Sequence, residues 1–274
     1  MKKKILIIGK KGFLGSNLSS FFEKKKLKVH SISFENFLNK YYLFSDKVDF
    51  IINCSSNKKF INRKYHIRND NDLIIARKII NSKIKLIMLS TRKIYKPKFN
   101  IKESDQKKLD CNYSINKMTS EILVGKILIN RVLILRISNI VGLPNKNKRK
   151  IHTTFSDIFF ETVKSGFIYD NKETFKDFIS IKQFSQIVLE LIKENSFGTY
   201  NVSLGKKVYL NQLITWLNFY NPNKINIIKK KNSFNNDNFT LNNRKLMRKI
   251  KISNNLNDLK NACLVISKKF FIKK

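Results

Sequence analysis

Apolar residues follow two rhythms along the first half of the chain. Short, nearly unbroken runs occur at KILIIG (4–9), KVHSIS (28–33), KVDFIINCSS (47–56), KIKLIMLST (83–91) and RVLILRISNIVG (131–142). Between them lie longer amphipathic stretches: FLGSNLSSFFEKKK (13–26), NDNDLIIARKIINS (69–82), and a segment from CNYSINKMTSE (111–121) to about Asn130. Unbroken Ile/Leu/Val runs predict strands buried on both faces, and the spaced apolar positions between them predict helices that cover those faces. This alternation predicts an α/β fold, a doubly wound parallel sheet of Rossmann type.

Beyond Pro144 the pattern loosens. NKNKRK (145–150) reads as a solvated loop, TTFSDIFFETVKSG (153–166) as a helix, the region 168–179 as a strand pair, and IKQFSQIVLELIKEN (181–195) as a helix. A strand is expected at GTYNVS (198–203), a helix at LNQLITWLNFY (210–220), a polar loop at 227–239, and a closing helix at LKNACLVISKKFF (259–271). The expected organisation is a dinucleotide-binding domain over 1–144. A small C-terminal substrate domain occupies most of 145–274, and 176–203 return to complete the sheet.

Composition refines this picture. The hydrophobic content of 42% over 274 residues supports a real core and a soluble globular protein. A net charge of +37 invites a nucleic-acid reading, but 9 of the 56 basic residues are arginine and the remaining 47 are lysine. Groove and phosphate recognition leans on the planar arginine fork. The lysines are also spread along the chain, which is enriched in Asn, Ile and Phe, as an A/T-rich genome would encode. The lysine bias and its even spread therefore make a nucleic-acid partner unexpected despite the charge, although the charge can draw in an anionic substrate. Cys54, Cys111 and Cys263 show no C-x-x-C spacing, and His30, His66 and His152 are scattered. Neither a disulfide framework nor a metal site is expected, and a reducing cytoplasm fits. The apolar run in MKKKILIIGKKG is too short for a signal peptide, and no run reaches the roughly 18 residues of a membrane span.

Two patterns carry chemistry. GKKGFLGSNL follows the first strand and opens the first helix; Gly9, Gly12 and Gly15 are three of 8 glycines in the chain, within seven positions. Glycine there permits a tight turn, close approach of backbone to a pyrophosphate and close helix–sheet packing, while the helix N-terminus faces the phosphates. In such a fold an acid at the end of the second strand holds the adenosine ribose and repels a 2′-phosphate. Here that place is Ser33, with Lys11 inside the turn and Glu35 nearby, which favours NADP and leaves NAD open. The second pattern is Tyr113 and Lys117, four apart and so on one helix face. With 47 lysines and 9 tyrosines, about one or two such pairs arise by chance. The chain has two, and Tyr220/Lys224 spans Pro222, so context must decide.

Context comes from order. The glycine turn, INCSS after the third strand, LSTRKIY after the next, and Y-x-x-x-K on the following helix resemble the extended short-chain dehydrogenase/reductases. These form the NAD-dependent epimerase/dehydratase family, which acts mostly on nucleotide sugars. LRISNIVGLP, KDFISIKQFSQIV, GTYNVSLGKKV and LNNRKLMRKI resemble its later motifs, so the likeness spans nearly the whole chain. The resemblance implies a cofactor site of Gly9, Lys11, Gly12, Phe13, Leu14, Gly15, Ser33, Cys54, Ser55, Tyr113, Lys117 and Ile140. It implies Thr91 and Asn139 as substrate contacts, with Thr91, Tyr113 and Lys117 catalytic. Tyr113 would move a proton, and Lys117 would hold the nicotinamide ribose and lower the phenol's pKa. Dehydratases of the family carry Asp-Glu directly after the threonine; here stand Arg92 and Lys93, which argues against 4,6-dehydration. Ser180, Lys182 and Gln183 replace the histidine and acids of another motif. The reading is an NAD(P)-dependent oxidoreductase that reduces a 4-keto(-6-deoxy) sugar nucleotide for surface-polysaccharide synthesis. A 4-epimerase with tightly bound NAD is the alternative, and a non-catalytic nucleotide- or RNA-binding member of the fold is the second. Family members often dimerise through the Tyr-Lys helix, so the resemblance implies a homodimer.

Overall fold

After exposed Lys4, the four consecutive apolar residues ILII have no polar face to offer water, so the strand they form needs cover on both sides. The computed structural model describes residues 3–44, 47–143, 154–164, 167–170, 174–223, 226–229 and 237–272. Its first half runs β1 (Lys4–Ile8), α1 (Phe13–Lys24), β2 (Lys28–Ile32), α2 (Phe34–Lys40), β3 (Phe50–Asn53), α3 (Lys58–Asn62), α4 (Asn71–Lys78), β4 (Lys85–Thr91), α5 (Asn112–Ile127) and β5 (Val132–Ile137). The second half adds β6 (Asn139–Val141), α6 (Phe155–Lys164), β7 (Phe167–Asp170), β8 (Phe175–Lys176), β9 (Phe178–Ser180), α7 (Ile181–Lys193), β10 (Gly198–Val202), β11 (Val208–Tyr209), α8 (Leu210–Asn218), β12 (Asn226–Lys229), α9 (Arg244–Lys249) and α10 (Leu256–Phe271).

Six strands form one parallel sheet in the order β10-β5-β4-β3-β1-β2, the doubly wound α/β arrangement that the alternation predicts. The period of two sends Ile5 and Ile7 to one face, against Leu18 and Phe22 of α1 and Phe184 and Val188 of α7. Leu6 and Ile8 go to the other, against Leu73 and Ala76 of α4 and Val124 of α5. The strand order reverses between β1 and β3, and the carboxyl ends at such a switch point leave a crevice. A separate apolar cluster forms among α6, α8 and α10, around Phe160, Leu213, Leu217 and Cys263.

Several elements differ from expectation. The run RVLILRISNIVG is not one strand: Ser138 divides it, donating its N–H to the Val202 carbonyl while the Asn139 N–H turns to Asp177. β5 stays in the main sheet and β6 pairs with β9 instead. The pair expected near 168–179 is three short strands that find other partners, β7 with β12, β8 with β11 and β9 with β6. The loop expected at 227–239 opens on the end of β12, and residues 230–236 lie outside the described residues, as do the loop 145–150 and the domain boundary at 144. Tyr220 lies past the end of α8, and Lys224 is outside the described residues. The short helices α2, α3 and α9 carry too few turns to print an apolar period.

Candidate active site

The crevice starts at the glycine turn. Gly9 has a φ of +100, and a Cβ there would lie 2.8 Å from the Cys54 carbonyl carbon and the Ser55 nitrogen, so a side chain is excluded twice over. A Cβ on Gly15 would sit 2.3 Å from the Gly9 carbonyl oxygen; its absence lets α1 close onto the turn. Gly12, the residue before α1, offers no side-chain cap, which leaves the first N–H groups of the helix for another acceptor.

Around this turn lies a cleft of about 450 Å³. It is lined by Gly9, Lys11, Gly12, Phe13 and Leu14 from the turn, Ser33 after β2, Cys54 and Ser55 after β3, Thr91, Tyr113 and Ile140. Gly15 lies beneath the turn. Lys117 is buried one helical turn beyond Tyr113, at 8% exposure. Asn139 does not line the cleft; once the chain leaves the sheet at Ser138, the Asn139 side-chain amide donates to the Asp177 carbonyl at 3.3 Å. A larger surface hollow of about 750 Å³ lies near the amino ends of β3 and β4, among Asp49, Lys83 and Lys85, and gathers none of these residues.

Thr91 ends β4 and lines the cleft with Tyr113; its hydroxyl accepts the Lys93 N–H at 3.2 Å. Burial raises the Tyr113 pKa and Asp72 adds to the rise; Lys117 and nearby Thr91 oppose them without cancelling. The Lys117 ammonium donates to Asp72 Oδ2 at 3.1 Å and to the Leu89 carbonyl at 2.9 Å. Burial works to lower the lysine's pKa, but Asp72 and Tyr113 outweigh it and hold it above the usual lysine value. The helix that carries both residues is braced from beneath. Glu121 accepts from Arg136 Nη2 at 2.6 Å and from Ser90 Oγ, tying α5 to β5 and β4 together. Arg136 Nη1 also donates to the Tyr95 hydroxyl and the Glu103 carbonyl, both at 2.8 Å.

Arg92, next to Thr91, is buried and bidentate to Asp237, at 2.6 and 2.5 Å, and its guanidinium lies 4.1 Å from the centre of the Phe239 ring. Burial works to raise the Asp237 carboxyl, but Arg92 and Lys176 overrule it and hold the pKa at about 2. Ser180 and Gln183 form a capping box at the start of α7, a structural use of positions where the family pattern has other residues. Sequence reasoning missed Asp72, Ser138, Asp157 and Phe34. The last three line the cleft, and Ser138 Oγ is buried there with no hydrogen-bond partner among the described residues. Ser138 stands directly before Asn139 at the carboxyl end of β5, a place where an inward polar residue signals a ligand. The side-chain-free cradle at the glycine turn and this unpaired hydroxyl fit a dinucleotide with phosphates at one end and a polar head at the other.

The sequence profile of the NAD dependent epimerase/dehydratase family matches residues 5–203. The chain belongs to this family. The match to the NAD dependent epimerase/dehydratase family spans β1 through β10, the whole six-stranded sheet and both chemistry-bearing segments. Solved structures agree on the fold. The chain is similar to a UDP-N-acetylglucosamine 4-epimerase from Methanobrevibacter ruminantium M1 in complex with UDP-N-acetylmuramic acid, at 19% identity over 100% of both chains and a TM-score of 0.78. It is similar to the Bordetella bronchiseptica enzyme WbmG in complex with NAD, at 17% identity over 100% of this chain and 96% of the other, TM-score 0.77. RMD from Pseudomonas aeruginosa complexed with NADPH aligns at 14% identity over 99% and 100%, TM-score 0.74. No curated protein matches the sequence. Among the described residues no helix is long and apolar enough to cross a membrane, and no three His, Cys, Asp or Glu side chains are grouped to hold a metal.

Proposed function

We propose that this member of the NAD dependent epimerase/dehydratase family is an NADP-dependent reductase of a 4-keto(-6-deoxy) sugar nucleotide. The observation that carries the reading is that Thr91 and Tyr113 stand together on the wall of the same cleft that the glycine turn opens. Gly9, Gly12 and the start of α1 would hold the pyrophosphate, and Ser138 the polar nicotinamide end. Ser33 in place of an acid, with Lys10 and Lys11 on the same cleft, supports a 2′-phosphate. The bound dinucleotide supplies the hydride. Thr91 holds the substrate's carbonyl oxygen, and Tyr113 gives that oxygen its proton, so the carbonyl becomes a carbinol and the phenol a phenolate that regains a proton from water. Burial keeps Tyr113 a phenol, the form that reduction needs and oxidation does not. Arg92, a guanidinium locked to Asp237, cannot supply the acid that elimination of water requires, which supports reduction without dehydration.

The test is NADPH consumption with a panel of 4-keto sugar nucleotides. Wild type is expected to turn over at least one of them, and Tyr113→Phe to lose about 10²–10⁴-fold in kcat while binding NADPH normally. A chain that purifies with NAD bound and interconverts C4 epimers, with no net NADPH consumption, would instead be an epimerase.

A further inference from the structure

Asp72 has no part in the proposed proton and hydride transfers, yet its buried carboxylate, 3% exposed, is paired to the lysine the chemistry relies on. It sits in the first turn of α4, where Oδ2 accepts from Lys117 Nζ at 3.1 Å and Oδ1 accepts from Asn53 Nδ2 at 2.7 Å. Asn53 Oδ1 in turn accepts from the Ser55 backbone N–H at 3.0 Å and the Ser55 hydroxyl at 2.6 Å. Asn71 Nδ2 donates to the same hydroxyl at 2.9 Å. One hydrogen-bonded chain thus runs from cleft-lining Ser55 to Lys117. A small polar hollow lined by Ser55, Ser56, Asp72 and Lys117 adjoins the cleft through Ser55 and Ser56, which line both.

An ammonium has three donors, and here Asp72 and the Leu89 carbonyl use two, which leaves one. A lysine this buried would shed its proton without a counter-charge. The groups facing Lys117 are Asp72 and Asp70 from α4 and its cap, Tyr113 from α5, the Leu89 carbonyl from β4, and the Phe60 ring from α3 at 5.5 Å. Asp70 is spent elsewhere, accepting from Ser120, Tyr65 and the Leu73 N–H. Asp72 is the group in direct ion-pair contact.

We propose that Asp72 is a positioning residue for the Tyr113–Lys117 pair: its carboxylate keeps buried Lys117 an ammonium and fixes it between α4 and β4, with one donor left for the bound dinucleotide. The same carboxylate offsets the lysine's charge at Tyr113, so the phenol keeps its proton. This inference rests on the dinucleotide-dependent reading, and its test uses binding in the absence of any sugar.

NADPH affinity is measured by nicotinamide fluorescence on the full chain from about pH 6 to 9, for wild type, Asp72→Asn and Lys117→Gln, with thermal melts to confirm folding. Wild type is expected to bind with constant affinity across that range. Asp72→Asn is expected to bind about tenfold more weakly near pH 8 and to weaken further as pH rises, because burial then lowers the Lys117 pKa unopposed. Lys117→Gln is expected to be weak at every pH. An Asp72→Asn protein that binds as wild type, or is weaker without pH dependence, overturns the inference. Should Asp72→Asn not fold, the double variant Asp72→Asn/Lys117→Met, with both charges gone, is expected to melt above Lys117→Met alone; a double variant that melts no higher overturns the pairing. Wild type that binds neither NADPH nor NADH overturns the proposed function and this inference with it, whereas normal wild-type binding with an unaltered Asp72→Asn overturns only the latter.

Discussion

At the scale of single residues, the site is a balance of charge around one phenol. Tyr113 is raised by burial first and by Asp72 next, against the pull of Lys117 and Thr91. The sign decides the pH behaviour. A proton donor is active in its acid form, and a phenol held above its ordinary pKa of about 10 stays in that form through neutral pH. Keto reduction is therefore expected to show no basic limb assignable to Tyr113 below about pH 10; a limb near neutrality that disappears in Tyr113→Phe would sink the assignment. Ser33 makes a second residue-level test of the proposed cofactor. Its hydroxyl caps α2 by accepting the Asn36 N–H at 3.1 Å, and aspartate caps as well as serine, so Ser33→Asp should fold normally. The new carboxylate would repel a 2′-phosphate while accepting ribose hydroxyls. Titrations of the two reduced dinucleotides should show NADPH binding weakened about tenfold or more and NADH binding unchanged or tighter.

At the scale of elements, two glycines separate what a helix tolerates from what it requires. Gly125 lies within α5, and a Cβ there would meet nothing within 4 Å beyond its chain neighbours and its own helix backbone. Gly125→Ala is expected to stabilise the protein by about 0.5–1 kcal/mol in urea unfolding, through helix propensity alone. At Gly15 the same change drives a methyl into the Gly9 carbonyl; Gly15→Ala is expected to cost about 1–3 kcal/mol and to abolish tight dinucleotide binding. Elements were legible in the sequence where a run had nowhere else to go: KILII must be a doubly covered strand, and a three-glycine turn after it must open a helix. The break at Ser138 was not legible, because apolar residues resume on either side of it in VLILRISNIV and only the competition between β10 and Asp177 for its backbone decides where the strand leaves the sheet. That break also explains Asn139, whose amide faces Asp177 and not the cleft. The Tyr113–Lys117 spacing could be read, but its counter-ion could not: Asp72 lies 45 residues before Lys117 in the polar run NDND, and only the packing of α4 against α5 brings them together.

At the scale of the whole molecule, one buried carboxylate joins the sheet to the later segments of the chain. Asp177 lies between β8 and β9, fully buried, and takes three backbone N–H groups from two other segments. Oδ1 accepts from Leu204 at 3.0 Å and from Gly205 at 3.3 Å; Oδ2 accepts from Gly205 at 3.1 Å and from Leu241 at 3.0 Å. Leu204 and Gly205 come between β10, at the edge of the main sheet, and β11, which pairs with β8, and Leu241 precedes α9, so the carboxylate ties its own segment to two others. Gly205, with φ at +72 and the Asn243 side chain 3.0 Å from where a Cβ would be, turns its N–H inward at a place where a side chain would not fit. The near-isosteric Asp177→Asn is an exacting test, because both oxygens accept from N–H groups. In either flip of the new amide its NH₂ must face a backbone donor, so at least one bond is lost and donor meets donor. Urea unfolding should show a loss of about 2–4 kcal/mol, and hydrogen exchange should rise first at Leu204, Gly205 and Leu241 while the amides of β1 and β3 stay protected. Uniform exchange across the sheet would mean that Asp177 supports the core at large; selective exchange identifies it as the joint on which the later segments are hung.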